Sequence, residues 1–121
     1  MSTFATIGIM NKDYSVTTSQ VKWDGGLWGV GRMLLWHYNT EEKARELISL
    51  GDVDKLCPTI EETKASTNHE WMDEKPITTK HGERWERGEY DYLWCYGRWH
   101  VTPPNEIPLE ECYKYSLDEN A

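Results

Sequence analysis

The pattern of apolar and polar residues near the start of the chain predicts a β-hairpin. Residues 4–10 are rich in β-forming side chains, the turn signal Asn11-Lys12-Asp13 follows, and residues 14–23 continue with Ser, Thr and Val. Two β-forming runs separated by turn residues are typical of paired antiparallel strands.

A second hairpin, rich in aromatic residues, is predicted towards the other end of the chain. Residues 89–95 alternate so that three aromatic side chains share one face, those of Tyr90, Tyr92 and Trp94. A turn at Tyr96-Gly97 then leads into residues 98–102 as the partner strand. Cross-strand aromatic contacts stabilise such a pair by about 0.2–1 kcal/mol each.

Two consecutive helices are predicted between the hairpins. The first covers residues 30–37 and has apolar residues at helical spacing: Val30, Met33, Leu34 and Tyr38. The second begins at Asn39, which forms a capping-box pattern with Glu42, and ends at Gly51, a residue type that commonly follows a helix. Its apolar stripe consists of Ala44, Leu47 and Ile48.

These elements predict an α+β fold, in which an antiparallel sheet of two hairpins packs with two helices. We expect a single domain over residues 1–117, with a long polar excursion at residues 59–88 and a frayed acidic tail at residues 118–121. Residues 112–117 are the candidate for an edge strand.

Charge and cysteine content narrow the functional classes. The net charge of −8 disfavours direct binding to nucleic acid, which normally requires a basic face. The three cysteines are odd in number and widely spaced, which favours a reducing compartment over a disulfide framework. The sequence shows no signal peptide and no apolar run near the roughly 20 residues of a membrane helix, so we expect a cytosolic protein without membrane contact.

The sequence offers no recognisable catalytic or metal-binding motif. The four histidines and three cysteines lack the spacings of zinc sites, and no G-x-S-x-G or reactive cysteine context occurs. Cys57 and Cys95 both have structural contexts, before a proline and within a strand. We therefore expect no cofactor, no metal and no catalysis.

A glycine-rich corner joins the first hairpin to the first helix. Gly25-Gly26 and Gly29-Val30-Gly31 lie among tryptophans, with Asp24 at the start and Arg32 at the end. One interpretation is an anion site, since backbone N–H groups at such a corner can face a phosphate. The structural alternative, which Asp24 favours because it would repel a phosphate, is that the glycines let Trp23 and Trp28 pack on the helix.

The seven tryptophans and seven tyrosines are the strongest sign of a binding protein. Tryptophan, tyrosine and arginine dominate the residues that carry binding energy at interfaces. We predict an aromatic surface near the corner and the second hairpin, formed by Trp23, Asp24, Trp28, Arg32, His37, Tyr92, Trp94, Arg98 and Trp99.

The corner and first helix resemble a family of small tailed-phage accessory proteins. The resemblance lies in Trp23-Asp24-Gly25, Gly29-Val30-Gly31-Arg32, Leu34-Leu35 and His37-Tyr38, set against a family motif of roughly H-W-D-G-Y-P-x-G-V-G-K-x-L-L-x-H-Y. Residues 47–56 match the next block, and residues 90–99 loosely resemble the family's aromatic hairpin.

The sequence departs from that motif at three places. Lys22 replaces a histidine, Gly26-Leu27-Trp28 replaces Tyr-Pro and the next residue, and Trp36 replaces a common acid. These changes bear on any ligand that the corner binds.

The resemblance implies a phage-encoded protein in the host bacterial cytoplasm, from a family without a settled activity. The expected function is non-catalytic binding that modulates or inhibits a bacterial host or anti-phage defence protein, with the acidic surface steering it onto a basic partner. The alternatives are sequestration of a nucleotide-like small molecule, an enzyme on the same pocket and a phage assembly role. A homodimer is also left open.

Overall fold

A computed structural model describes residues 3–67, 75–101 and 107–109 and confirms the α+β fold. Six strands form one sheet in the order β3-β2-β1-β4-β5-β6. The strands are β1 (Ala5–Met10), β2 (Val16–Val21), β3 (Ile77–Thr79), β4 (Tyr90–Cys95), β5 (Arg98–Val101) and β6 (Ile107–Pro108). The helices are α1 (Arg32–His37), α2 (Glu41–Ser49) and α3 (Ile60–Ala65), and a π-helical turn over Leu27–Gly31 leads into α1.

Both predicted hairpins are present, and they meet through a parallel pairing. β1 pairs with β2 and β4 with β5 in antiparallel register. β1 and β4 lie side by side in parallel, from Ala5 opposite Tyr90 to Ile9 opposite Trp94. The sheet is thus mostly antiparallel, as predicted, with one parallel pairing that the sequence analysis did not anticipate. Parallel neighbours need a long crossover, and the chain between β1 and β4 supplies it.

Helix α2 begins one residue later than the capping-box pattern indicated. The side chain of Thr40, not Asn39, accepts a hydrogen bond from the Lys43 backbone N–H over 3.1 Å. Thr40 has extended backbone angles, as an N-cap residue requires. Gly51 follows the helix with φ of 85°, the conformation expected of a glycine at this position.

Part of the predicted polar excursion has regular structure. Thr59 caps α3 by accepting from the Glu62 backbone N–H, and β3 adds an edge to the sheet beside β2. The candidate edge strand at residues 112–117 and the tail at residues 118–121 lie outside the described residues.

The main core lies between the helices and one face of the sheet. Its largest fully buried side chains include Trp99, Tyr92, Ile7, Leu34 and Leu47. A smaller cluster of Val16, Leu93 and Cys95 lies apart from it and is partly covered by Trp85. Near that cluster the Arg87 guanidinium donates to the Thr18 hydroxyl over 2.9 Å. None of the helices in the described ranges has the length and apolar character to cross a membrane.

Candidate functional site

The glycine corner brings backbone segments closer together than a side chain would permit. A Cβ atom on Gly29 would lie 2.0 Å from the Asp24 carbonyl oxygen, and one on Gly25 would lie 2.6 Å from the Thr3 carbonyl oxygen. Only glycine avoids these overlaps. Asp24 itself adopts the left-handed conformation, with φ of 57°. The corner is therefore a tightly built turn that starts the helical segment.

Four backbone N–H groups of the corner donate to carbonyl oxygens within the protein. Gly25 donates to Thr3 over 2.9 Å, and Val30 donates to the Asp24 carbonyl oxygen over 2.8 Å. Gly29 and Gly31 both donate to the Gly26 carbonyl oxygen. The geometry therefore favours a structural role for the glycines, through close backbone approach; the expected packing of Trp23 and Trp28 is only partial, since these side chains are 43% and 46% exposed. Asp24 caps the turn through its backbone carbonyl.

Trp28, Arg32 and Trp36 form a row on the outside of the helical segment. They are spaced four residues apart, which places them on one face of a helix. The central carbon of the Arg32 guanidinium lies 5.6 Å from the centroid of the Trp28 ring and 4.9 Å from that of Trp36. Trp28 and Trp36 are 46% and 67% exposed. This cation–π row holds two large rings at the surface.

An open groove of about 870 Å³ lies beside this row. Trp23, 43% exposed, also lines it, and the Lys22 ammonium lies 5.6 Å from the centroid of the Trp23 ring. The ionisable side chains of the lining, as far as the structure describes it, are those of Asp24, Arg32, His37, Lys55 and Tyr90. We call this feature the corner groove.

The corner groove contains five of the nine predicted binding residues: Trp23, Asp24, Trp28, Arg32 and His37. Arg98 is exposed at the start of β5 but does not line the groove. The other three, all aromatic, lie in the core: Tyr92, Trp94 and Trp99.

Placing Tyr92, Trp94 and Trp99 on a binding surface was therefore wrong, because their contacts are internal. The Tyr92 hydroxyl donates to the Gly25 carbonyl oxygen over 2.8 Å, and this buried bond links β4 to the glycine corner. Trp94 and Trp99 pack edge to face, with ring centroids 5.6 Å apart. Their face of the β4–β5 hairpin is the one that meets the helices.

Trp36 and Lys55 are groove residues that the sequence analysis did not select. The position of Trp36 could have been predicted from the sequence, because it lies four residues after Arg32 and off the apolar stripe of α1. No local pattern could have predicted Lys55, because only the fold brings it to the groove. The chain after α2 returns to the corner, where the Trp23 N–H donates to the Asp54 carbonyl oxygen over 2.9 Å.

The described residues show one close pair of a thiol and an imidazole, remote from the corner groove. The Cys95 sulfur lies 3.3 Å from His100 Nδ1, and the Cys95 side chain is only 3% exposed. A buried thiol in a sheet is poorly placed to attack a substrate. Within the described ranges no three His, Cys, Asp or Glu side chains are grouped so as to hold a metal ion.

Comparison of the chain with protein-family models found no match, and comparisons with curated proteins and with solved structures found none either. The resemblance to phage accessory proteins stays a prediction from the sequence motif.

Proposed function

We propose that this protein acts by binding a partner protein through the corner groove, without catalysis. The observation that carries the proposal is the exposed row in which Arg32 lies against the rings of Trp28 and Trp36. Tryptophan and arginine are the residue types that contribute most binding energy at protein interfaces. A protein gains little stability from exposed tryptophan rings, so their concentration here supports a role in recognition.

The proposed partner is a bacterial host protein or an anti-phage defence protein, and the proposed setting is the host bacterial cytoplasm. This part of the proposal rests on the motif shared with tailed-phage accessory proteins. The net charge of −8 would speed the approach of a partner whose overall surface is basic. Binding would then block or modulate that protein.

The proposal is tested by affinity capture from bacterial lysate, followed by titration of the purified captured protein. Trp28→Ala and Trp36→Ala each remove an exposed ring from the groove, and we expect about tenfold or greater weakening of the captured complex. The control is Tyr96→Ala, which removes an exposed ring, 80% accessible, at the tip of the β4–β5 hairpin, outside the groove. Unchanged affinity in both folded tryptophan variants would rule out the groove as the binding site.

Sequestration of a nucleotide-like small molecule is the second candidate function. In its favour, the groove volume of about 870 Å³ is within the range of ligand pockets, and it offers aromatic rings beside Arg32 and Lys55. Against it, four of the corner N–H groups already donate to carbonyl oxygens of the protein. Tryptophan fluorescence against a panel of nucleotides separates the two: a saturable response that Trp28→Ala removes would favour sequestration. Turnover of a bound nucleotide would indicate an enzyme instead.

A further inference from the structure

The local charge of the corner groove is opposite to that of the whole protein. The chain carries a net charge of −8, with 21 acidic and 13 basic residues. Among the described residues, the groove lining contains Arg32 and Lys55 against a single carboxylate, that of Asp24. Lys22 lies outside this lining, with its ammonium 5.6 Å from the centroid of the Trp23 ring. The groove is thus a cationic site on an acidic molecule.

Two cations of the groove lining, Arg32 and Lys55, have no acidic partner among the described residues. Among the described residues, neither a carboxylate nor a carbonyl oxygen pairs with the Arg32 or Lys55 side chain. The contacts of Arg32 are with the rings of Trp28 and Trp36, whose centroids lie 5.6 Å and 4.9 Å from the central carbon of the guanidinium. The N–H donors of a guanidinium match the two oxygens of a carboxylate.

We propose that the corner groove binds an acidic segment of the partner protein, in which a carboxylate side chain neighbours an aromatic or large aliphatic one. The carboxylate would bind to Arg32, with Lys55 adding charge, and the apolar side chain would lie on the exposed tryptophan rings. Charge complementarity selects this occupant over a basic segment, which would place its cations next to Arg32 and Lys55. This inference rests on the proposed function, because it specifies what the proposed partner presents to the groove.

The segment that occupies the groove is a local part of the partner, and its charge can differ in sign from the partner's net charge. A basic partner steered by the −8 net charge satisfies both requirements if it presents an acidic aromatic segment at the contact. Long-range attraction and local pairing act on different parts of the two surfaces.

A random-peptide selection on the immobilised full chain tests this inference. We expect enrichment of peptides that combine Asp or Glu with Trp, Phe, Tyr or Leu. A synthetic peptide of the enriched sequence, its Asn/Gln analogue and an ATP sample are then titrated by tryptophan fluorescence. The neutral analogue should bind about tenfold or more weakly than the acidic peptide, and added salt should reduce the difference.

Arg32→Gln and Lys43→Gln provide the matched pair of variants. Both remove one exposed cation, but Lys43 lies on α2 outside the groove. Arg32→Gln should abolish the preference for the acidic peptide over its neutral analogue, whereas Lys43→Gln should retain it. Circular dichroism of each variant confirms that it is folded.

The outcomes separate this inference from the proposed function. Selection of basic or uncharged peptides, no enrichment, equal affinity for the two analogues, or tighter binding of ATP would each overturn the acidic-segment inference. If the captured partner still depends on Trp28 and Trp36 in such a case, the proposed function stands. If binding of the captured partner does not depend on Trp28 and Trp36, both the proposed function and the acidic-segment inference are ruled out.

Discussion

The indole N–H of Trp99 donates to the backbone carbonyl oxygen of Tyr38 over 2.9 Å. Both residues are almost completely buried, at 1% and 2% exposure. Tyr38 is the C-cap residue directly after α1, the helix that carries Arg32 and Trp36. The bond therefore ties the aromatic hairpin to the end of the helical segment whose outer face forms the corner groove.

Trp99→Phe should reduce the free energy of unfolding by about 1–3 kcal/mol. The variant keeps an aromatic ring but leaves the buried Tyr38 carbonyl oxygen without this donor, and an unsatisfied buried polar group costs about that much. Trp99→Ala should cost more, about 3–5 kcal/mol, because it also opens a cavity. Urea unfolding measures both. An unchanged midpoint for Trp99→Phe would show that this bond does not contribute to stability.

The stability that Tyr38 contributes should fall in alkaline solution. Its hydroxyl donates to the Cys57 carbonyl oxygen over 2.5 Å, and burial raises the pKa of Tyr38 above the ordinary value of a tyrosine. The folded state thus favours the neutral phenol. This contribution is complete below the unfolded-state pKa of about 10 and is lost as the pH rises through the higher folded-state pKa.

Urea unfolding of the wild type and Tyr38→Phe from about pH 8 to about pH 11 tests this prediction. Tyr38→Phe should be less stable by about 1 kcal/mol at the lower pH, because a hydrogen bond is lost. The difference between the two proteins should shrink towards the upper limit. The ionisable groups common to the two proteins cancel in the difference. A constant difference across the range would contradict the assignment.

The sequence was informative about the fold wherever the relevant contacts are local. Helical spacing located α1 and α2, and the two runs on either side of Asn11-Lys12-Asp13 located β1 and β2. The parallel pairing of β1 with β4 could not be read from any local pattern, since it joins residues more than eighty positions apart. The π-helical turn at Leu27–Gly31 was also missed, because it arises from the close backbone approach at Gly29.

The residues of the candidate site could be predicted from the sequence only where local patterns reveal them. Alternation placed Tyr92 and Trp94 on one face of a strand, but it could not say whether helices or solvent lie against that face. In this fold the helices cover it, so the aromatic hairpin is core. Trp28 and Arg32 were found because they adjoin the glycine corner, which has a strong local signature.

The cap of α2 offers a direct comparison of neighbouring residues. Thr40→Ala should lower the free energy of unfolding by about 1 kcal/mol, because the Lys43 N–H loses its side-chain acceptor. Asn39→Ala, one residue earlier and also exposed, is the control and should change stability by less than about 0.5 kcal/mol. Thermal unfolding of the two variants shows which of the two residues, Thr40 or Asn39, caps α2. The reverse order of effects would restore Asn39 as the cap.

Gly29→Ala and Gly26→Ala together test whether the shape of the corner controls the groove. A Cβ on Gly29 would overlap the Asp24 carbonyl oxygen, whereas one on Gly26 has its nearest neighbour, Tyr90 Cε2, at an ordinary 3.8 Å. Gly29→Ala must therefore push the backbone apart, with a loss of stability of about 1–3 kcal/mol, while Gly26→Ala should be tolerated. Trp28 directly precedes Gly29, so its ring should shift when the turn is displaced. Binding of the captured partner should therefore also weaken in Gly29→Ala at temperatures where the variant remains folded. Equal stability and equal affinity of the two variants would mean that the tight corner serves neither the fold nor the groove.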